Sequence, residues 1–310
     1  MAIEKSNLHR DPGVRRGNFP TGPLERPLAT GLLSRALALL LAAGAASAAH
    51  ADNTAIDLGV TAGYESNAPR AERASDRASD VTQAARLRIA RSAMLDAHSG
   101  VTLSATLAYE NHQRFSALNN GTAKLEAVYI IQPVAGHSTP WYEAAISVEA
   151  LKFADSRIRD GVIGAASLAV GKNLTDRLQA KAGGSYEKRW ASYENVYDLK
   201  WRKAFADISY QLQKNTVFAR VTRLWGDQVF SVRPGAELTS AKASEDDPAF
   251  GAAYEAYRLG ATTNTFDLGL VVPVAERDSI IGSASSYLTR AEGGHRYDDS
   301  VIRITWSHRF

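Results

Sequence analysis

Three places in the sequence set a histidine beside a serine: His98-Ser99, His137-Ser138 and Ser307-His308. A serine hydroxyl becomes a nucleophile where an imidazole can take its proton and a third polar group holds the ring, so these are the candidates for acyl or lipid hydrolysis. The first two fall in segments that read as short turns, where small polar residues are expected on conformational grounds alone. His112 has no adjacent serine, and Glu65-Ser66-Asn67 lacks a preceding histidine. No catalytic residue is assigned. Glu245-Asp246-Asp247 offers the hard oxygen atoms that calcium selects, but a solvated acidic loop has the same composition, and no metal or cofactor is assigned. The absence of cysteine removes thiol nucleophiles, cysteine-ligated zinc and iron–sulfur clusters, and no phosphate-binding glycine loop is present.

More chemistry lies in charges that alternate with apolar residues. Asp57, Arg86, Arg88, Lys124, Glu126, Glu143, Glu149, Lys181, Arg220, Asp267 and Arg303 each sit one position out of phase with an apolar stripe. Ile56, Leu58, Val60, Ala62 and Tyr64 share one face of a strand, as do Val101, Leu103, Ala105, Leu107 and Tyr109, because successive strand side chains point to opposite sides. Segments of this kind run from residue 55 onward, and few windows carry a helical period. With 310 residues, 45% hydrophobic and 22% charged, the chain should fold. A mean hydropathy of -0.23 without a long apolar run excludes a helical membrane bundle but not a membrane barrel.

The connections alternate as well. Short turns are expected at about 95–100, 132–140, 171–177, 213–216 and 273–278, and longer polar loops at about 65–80, 111–121, 152–161, 189–196, 228–251 and 289–299. Eleven connections imply an all-β, antiparallel up-and-down transmembrane barrel of about twelve strands over residues 52–310. Tyr64, Tyr109, Tyr186, Trp225 and Tyr287 are expected in a girdle near the long loops, and Trp141, Tyr142, Tyr210, Phe266 and Phe310 near the other rim. Two strands break phase. Leu199 and Trp201 give way to Ile208, Tyr210 and Leu212, and Tyr257, Leu259 and Ala261 to Phe266, Leu268 and Leu270, so β-bulges are predicted near 203–206 and 262–265.

Residues 1–51 read as a signal peptide with a long, basic n-region, an apolar run over 36–46 and the small-residue site Ala49-His50-Ala51. Six Lys or Arg and three Asp or Glu belong to this segment, which leaves the remainder formally neutral. The isoelectric point near 9.0 thus belongs to the targeting segment, and no nucleic-acid partner is expected.

The segment Ser300 to Phe310 alternates Ile302, Ile304 and Trp306 with Arg303, Thr305 and Ser307 and ends on phenylalanine. It resembles the last strand of Gram-negative outer-membrane β-barrels, in which such a signal, here Trp306 and Phe310, is presented to the barrel assembly machinery. His308 departs from the usual apolar residue. Gly63-Tyr64-Glu65-Ser66-Asn67 with Tyr297-Asp298-Asp299 is similar to barrels linked to surface lipoprotein assembly or exopolysaccharide export.

The resemblance implies outer-membrane residence among outer-membrane lipid and lipopolysaccharide. Charges avoid lipid, so Arg86, Arg88, Lys124, Glu126, Glu149, Lys181 and Arg303 are expected to line the lumen. The leading expectation is a non-enzymatic, porin-like channel or export conduit for small hydrophilic solutes, charged ones included, or for a surface polymer. The competing expectations are an accessory barrel for lipoprotein or polysaccharide assembly and secretion, and a lipid-modifying enzyme.

Overall fold

A computed structural model describes residues 53–193, 195–233 and 239–310; the signal-peptide reading of 1–51 lies outside the described residues. The wall is built from β1 (Thr54–Glu65), β2 (Asp80–Met94), β3 (Ser99–His112), β4 (Asn120–Ile131), β5 (Trp141–Phe153), β6 (Gly161–Asn173), β7 (Leu178–Ala191), β8 (Leu199–Leu212), β9 (Asn215–Val232), β11 (Glu255–Pro273), β12 (Asp278–Ala291) and β13 (Arg296–Arg309). A four-residue strand, β10 (Ala243–Asp246), lies in the connection between β9 and β11. Every neighbouring pair is antiparallel, β9 pairs directly with β11, and β13 returns to β1 from Asp57↔Arg309 to Glu65↔Val301. The result is a closed, all-β, up-and-down barrel with twelve wall strands. Closure leaves no unpaired sheet edge in the wall, which is the condition for strands to cross hydrocarbon.

Alternation places the large apolar side chains outside. Val60, Leu103, Ile146, Leu168, Ile208, Leu268 and Ile304 are all exposed, and Leu168 keeps 69% of its surface open. A soluble protein does not display such an all-round apolar surface, whereas a membrane barrel must. Tyr64, Tyr109, Tyr186 and Trp225 lie in this outer surface toward the long loops, and Tyr142, Tyr210, Trp306 and Phe310 toward the short turns. Three expected girdle positions differ. Tyr287 lines the interior, Trp141 packs over Gly171 on the inner side, and Phe266 sits mid-strand in β11 rather than at a rim.

Neither predicted bulge is present. Pairing of β8 is one-to-one from Leu178↔Tyr210 to Arg189↔Leu199 and on its other side from Trp201↔Gly226 to Leu212↔Asn215. β11 likewise runs unbroken against β9 and β12. The apolar stripe changes side because the barrel's surroundings change along the strand. Near the long loops protein fills part of the interior, so Leu199, Tyr257 and Leu259 turn inward against it and Trp201 faces the space left beneath, without any change of register.

That interior protein is a cap. β9 runs past β8 at Gly226 and pairs on only with β11, whose own extension takes β10 on its far side. This three-stranded tab packs Phe230 and Leu259 against Tyr297, and Val229 and Ala256 against Val196 and Tyr197. The connection after β1 adds Ala71 against Val232 and Tyr257, and Phe115 and Leu118 meet Ala249 and Phe250. Gly226 has φ +145°, and a Cβ there would collide with the Lys200 carbonyl and lie 2.6 Å from Trp201 Cα. Gly226→Val should therefore cost about 1–3 kcal/mol, read as a lower midpoint for the heat-induced electrophoretic shift of the folded barrel. An unchanged midpoint would show that this turn of the wall is not constrained.

Candidate functional site

The inner wall is polar and its charges are arranged in rows. Lys181, Asp207, Arg220 and Asp267 occupy directly paired positions on β7, β8, β9 and β11, so charge alternates in sign around the wall. Arg220 donates to both Asp207 carboxylate oxygens, at 2.5 and 2.8 Å, and Ser285 Oγ donates to Asp267 at 2.5 Å. Further pairs join Lys124 to Glu126 at 2.5 Å, Lys181 to Glu143 at 2.8 Å and Lys203 to Glu187 at 2.8 Å. Asp57 stands between Arg309 at 2.9 Å and Arg88 at 3.7 Å. These pairs face water, so each contributes at most about 1 kcal/mol. Their larger effect is on the field inside the lumen.

All seven residues expected in the lumen, Arg86, Arg88, Lys124, Glu126, Glu149, Lys181 and Arg303, lie on the face opposite the exposed apolar stripe. They do not form one cluster. Arg86 of β2 and Arg303 of β13 both lean over β1, where Gly59 and Gly63 supply no side chain and leave room for the arginine stems. Among the described residues neither has a carboxylate in ion-pair contact, which leaves a basic stripe over β13, β1 and β2. Across the interior, Glu149 of β5 is paired in register with Lys124 but is likewise without an ion-pair contact.

Two water-accessible spaces follow the axis. One of about 460 Å³ is lined by Lys124, Glu126, Glu187, Lys203, Arg220 and Asp267. Above it, one of about 510 Å³ is lined by Glu65, Arg70, Arg159, Trp201, Tyr287 and Arg303 and lies beneath the cap.

Polar contacts inside the cap are buried and bonded. Arg159 makes a forked pair with Asp247, Nη1 to Oδ1 at 2.7 Å and Nη2 to Oδ2 at 2.5 Å, and Ser231 Oγ donates to Asp247 at 2.5 Å. The Arg159 guanidinium also lies 5.0 Å from the Tyr197 ring centre and 5.4 Å from that of Phe250. Burial pushes the Tyr197 phenol up to about 12, against the pull of Arg159. Arg70, at φ 57°, lines the space beneath the cap, and Tyr297 and then Glu65 and Asp299 hold it protonated more firmly than usual against the cost of a charge inside the barrel. Gln228 donates to Thr263 at 2.5 Å and accepts from Tyr297 at 2.7 Å.

Asp247, the third acid of the Glu245-Asp246-Asp247 run, is thus fully buried on an arginine and is not a solvated loop acid. Among the described residues no three acidic or histidine side chains converge as a metal site. Ser66 and Asn67 both bond to Asp299, with Ser66 Oγ to Oδ1 at 2.8 Å and Asn67 N at 3.0 Å, so the two motifs at the ends of β1 and β13 tie one connection down. Of the histidines, His112 bonds Asp80 and His308 bonds Asp278, each at 3.0 Å, while Ser99 donates to Asp96. Among the described residues no histidine ring has a serine hydroxyl as a hydrogen-bond partner. Glu187, Arg189, Lys203 and Asp207 were missed as inner-wall charges, although the plain alternation of β7 and β8 points to them. Arg70 and Arg159 come from loops and leave no periodic signal.

No protein-family model matches this sequence, and no curated protein matches it. Among solved structures, the COG4313 outer-membrane channel from Pseudomonas putida F1 aligns with a TM-score of 0.55 at 12% identity, over 83% of this chain and 96% of that one. The translocator domain of the autotransporter NalP from Neisseria meningitidis gives 0.46 at 13% identity, over 92% and 99%, and the NanC porin gives 0.45 at 12%, over 81% and 98%. At these identities the likeness is one of fold alone, a closed antiparallel β-barrel.

Proposed function

We propose that the protein is a channel of the Gram-negative outer membrane that passes small hydrophilic solutes, with a preference for anions, past an outer mouth narrowed by its own loops. The observation that carries this reading is the inner wall: it is charged, two water-accessible spaces lie within it with Arg303 lining the upper one, and among the described residues Arg86 and Arg303 are without a carboxylate in ion-pair contact over β1. Fixed cations on a lumen wall raise the local concentration of anions. In this reading residues 1–51 direct export and are cleaved, the long loops face outward, and Trp306 and Phe310 serve insertion by the assembly machinery. Its chemistry is passage rather than catalysis. Neutral or acidic oligomers small enough to enter the lumen are the solute class.

The packed cap favours a second reading, an accessory barrel for surface assembly whose lumen stays shut. Single-channel recording of the purified barrel in a planar bilayer under a salt gradient separates the two. Discrete steps with an anion-shifted reversal potential are expected. Silence from heat-modifiable, folded barrel would overturn the channel and leave the accessory.

A further inference from the structure

We propose that the outer face of β4 to β9 is a binding site for one phosphorylated, multiply acylated glycolipid of the outer leaflet, phosphates on a cation cluster over β7, β8 and β9 and acyl chains in a groove that runs from it across β7 to β4. The inference rests on the barrel lying in the outer membrane with its long loops outward, and not on conduction.

The cluster consists of Lys188, Lys200, Arg202 and Arg223. All four are exposed on the lipid-facing side of the wall, close to its long-loop end. Lys188 and Lys200 stand directly opposite one another in the pairing of β7 with β8. Like charges in that position destabilise a sheet unless an anion lies between them. Arg202 is paired in register with Tyr186 on one side and Trp225 on the other. Among the described residues none of the four has a carboxylate within ion-pair distance. This contrasts with the inner wall, where Lys181, Lys203 and Arg220 each have one. Lys188 instead lies 5.0 Å from the Trp190 ring centre and Arg223 5.4 Å from that of Trp225, which leaves their hydrogen-bond donors free for phosphate oxygens.

From Arg202 the outer face is grooved across β7, β6, β5 and β4, along the register that passes through Tyr186, Ala166 and Ile146 to Ala127. Ala127, Ala144, Ala166 and Gly184 form a floor of small residues between taller neighbours such as Ile146 and Leu168, in a space of about 1110 Å³ with Arg202 at its head. Its lining is almost wholly apolar, so hydrocarbon fills it without desolvation cost. Cations at a membrane surface attract anionic headgroups with about 1 kcal/mol each, and tyrosine and tryptophan favour the same depth. A cation cluster at headgroup level, heading an apolar groove, matches a lipid with phosphates and several chains rather than a free anion.

The test is native mass spectrometry of the full chain, delipidated and titrated with bisphosphorylated hexa-acyl lipid A. One lipid should bind, at least tenfold more weakly to Lys188→Ser/Lys200→Ser/Arg202→Ser/Arg223→Ser and unchanged in Arg177→Ser/Arg277→Ser, which removes turn cations at the other end. Dephosphorylated lipid A should bind at least tenfold more weakly to the native chain, and inorganic phosphate should not displace the lipid. Equal affinity for the fourfold variant, or for dephosphorylated lipid, would overturn the proposal. Displacement by inorganic phosphate would reduce the site to a simple anion site and overturn the acyl groove. Should the fourfold variant fail to fold, Arg202→Ser/Arg223→Ser is read by the same criteria. A barrel that binds the lipid but does not conduct leaves this site standing while removing the channel.

Discussion

Arg159→Met widens the outer mouth: single-channel conductance rises, and proteases cut the long connections faster, while the wall keeps its resistance to heat. Arg159 is 6% exposed and Asp247 is fully buried, so removing the guanidinium leaves a carboxylate without its partner in a dry site. Such a loss costs about 3–5 kcal/mol. At about 1.4 kcal/mol per tenfold, an equilibrium between packed and open cap moves by about two to three and a half orders of magnitude. The effect is confined to the cap because Arg159 belongs to the connection between β5 and β6 and Asp247 to that between β9 and β11, and neither residue is in a wall strand. Arg159→Met with Asp247→Leu should recover much of the packed state, since both charges are then gone. Unchanged conductance and cleavage in Arg159→Met would mean that the apolar contacts of Phe115, Phe250, Val196 and Tyr197 hold the cap without the ion pair.

Arg86→Glu with Arg88→Glu moves the reversal potential under a salt gradient toward cation selectivity. The double change turns two positive charges into two negative ones on a wall where Arg303 and Arg309 then remain as the neighbouring cations. Arg86→Glu alone is the cleaner variant, because among the described residues Arg86 has no carboxylate in ion-pair contact, whereas Arg88 shares Asp57 with Arg309. The single change should give a shift of the same sign and smaller size. An unchanged potential in a conducting channel would place the permeation path away from β2.

Alternation in the sequence was enough to find the strands and the five short turns, because lipid and water impose opposite preferences on the two faces of every strand. It was not enough near the long loops. Tyr257 and Leu259 share a face with Thr263 and Asp267, and only the packing of Phe230, Ala71 and Tyr297 behind them explains why apolar and polar residues follow one another on the same side. A change in surroundings along a strand therefore looked like a slip in register. Aromatic type was a poor guide to direction for the same reason: Tyr287 and Trp141 are amphipathic and serve a polar interior as well as an interface. The forked pair of Arg159 with Asp247 spans 88 positions, a separation at which no local pattern carries information.

The seam between β1 and β13 has a consequence for how the molecule is made. Thr61 meets Thr305 through their hydroxyl groups at 2.8 Å, across 244 positions of chain. Until β13 is delivered, a nascent sheet of the other strands carries two bare borders, each a template for a neighbour's strand. Ring closure is then an end-stage event whose entropic cost grows only slowly with the length enclosed. An unfinished sheet is therefore expected to need both borders shielded until the seam can zip, and chains lacking β13 should be recovered bound to another envelope protein rather than as free, heat-modifiable barrel.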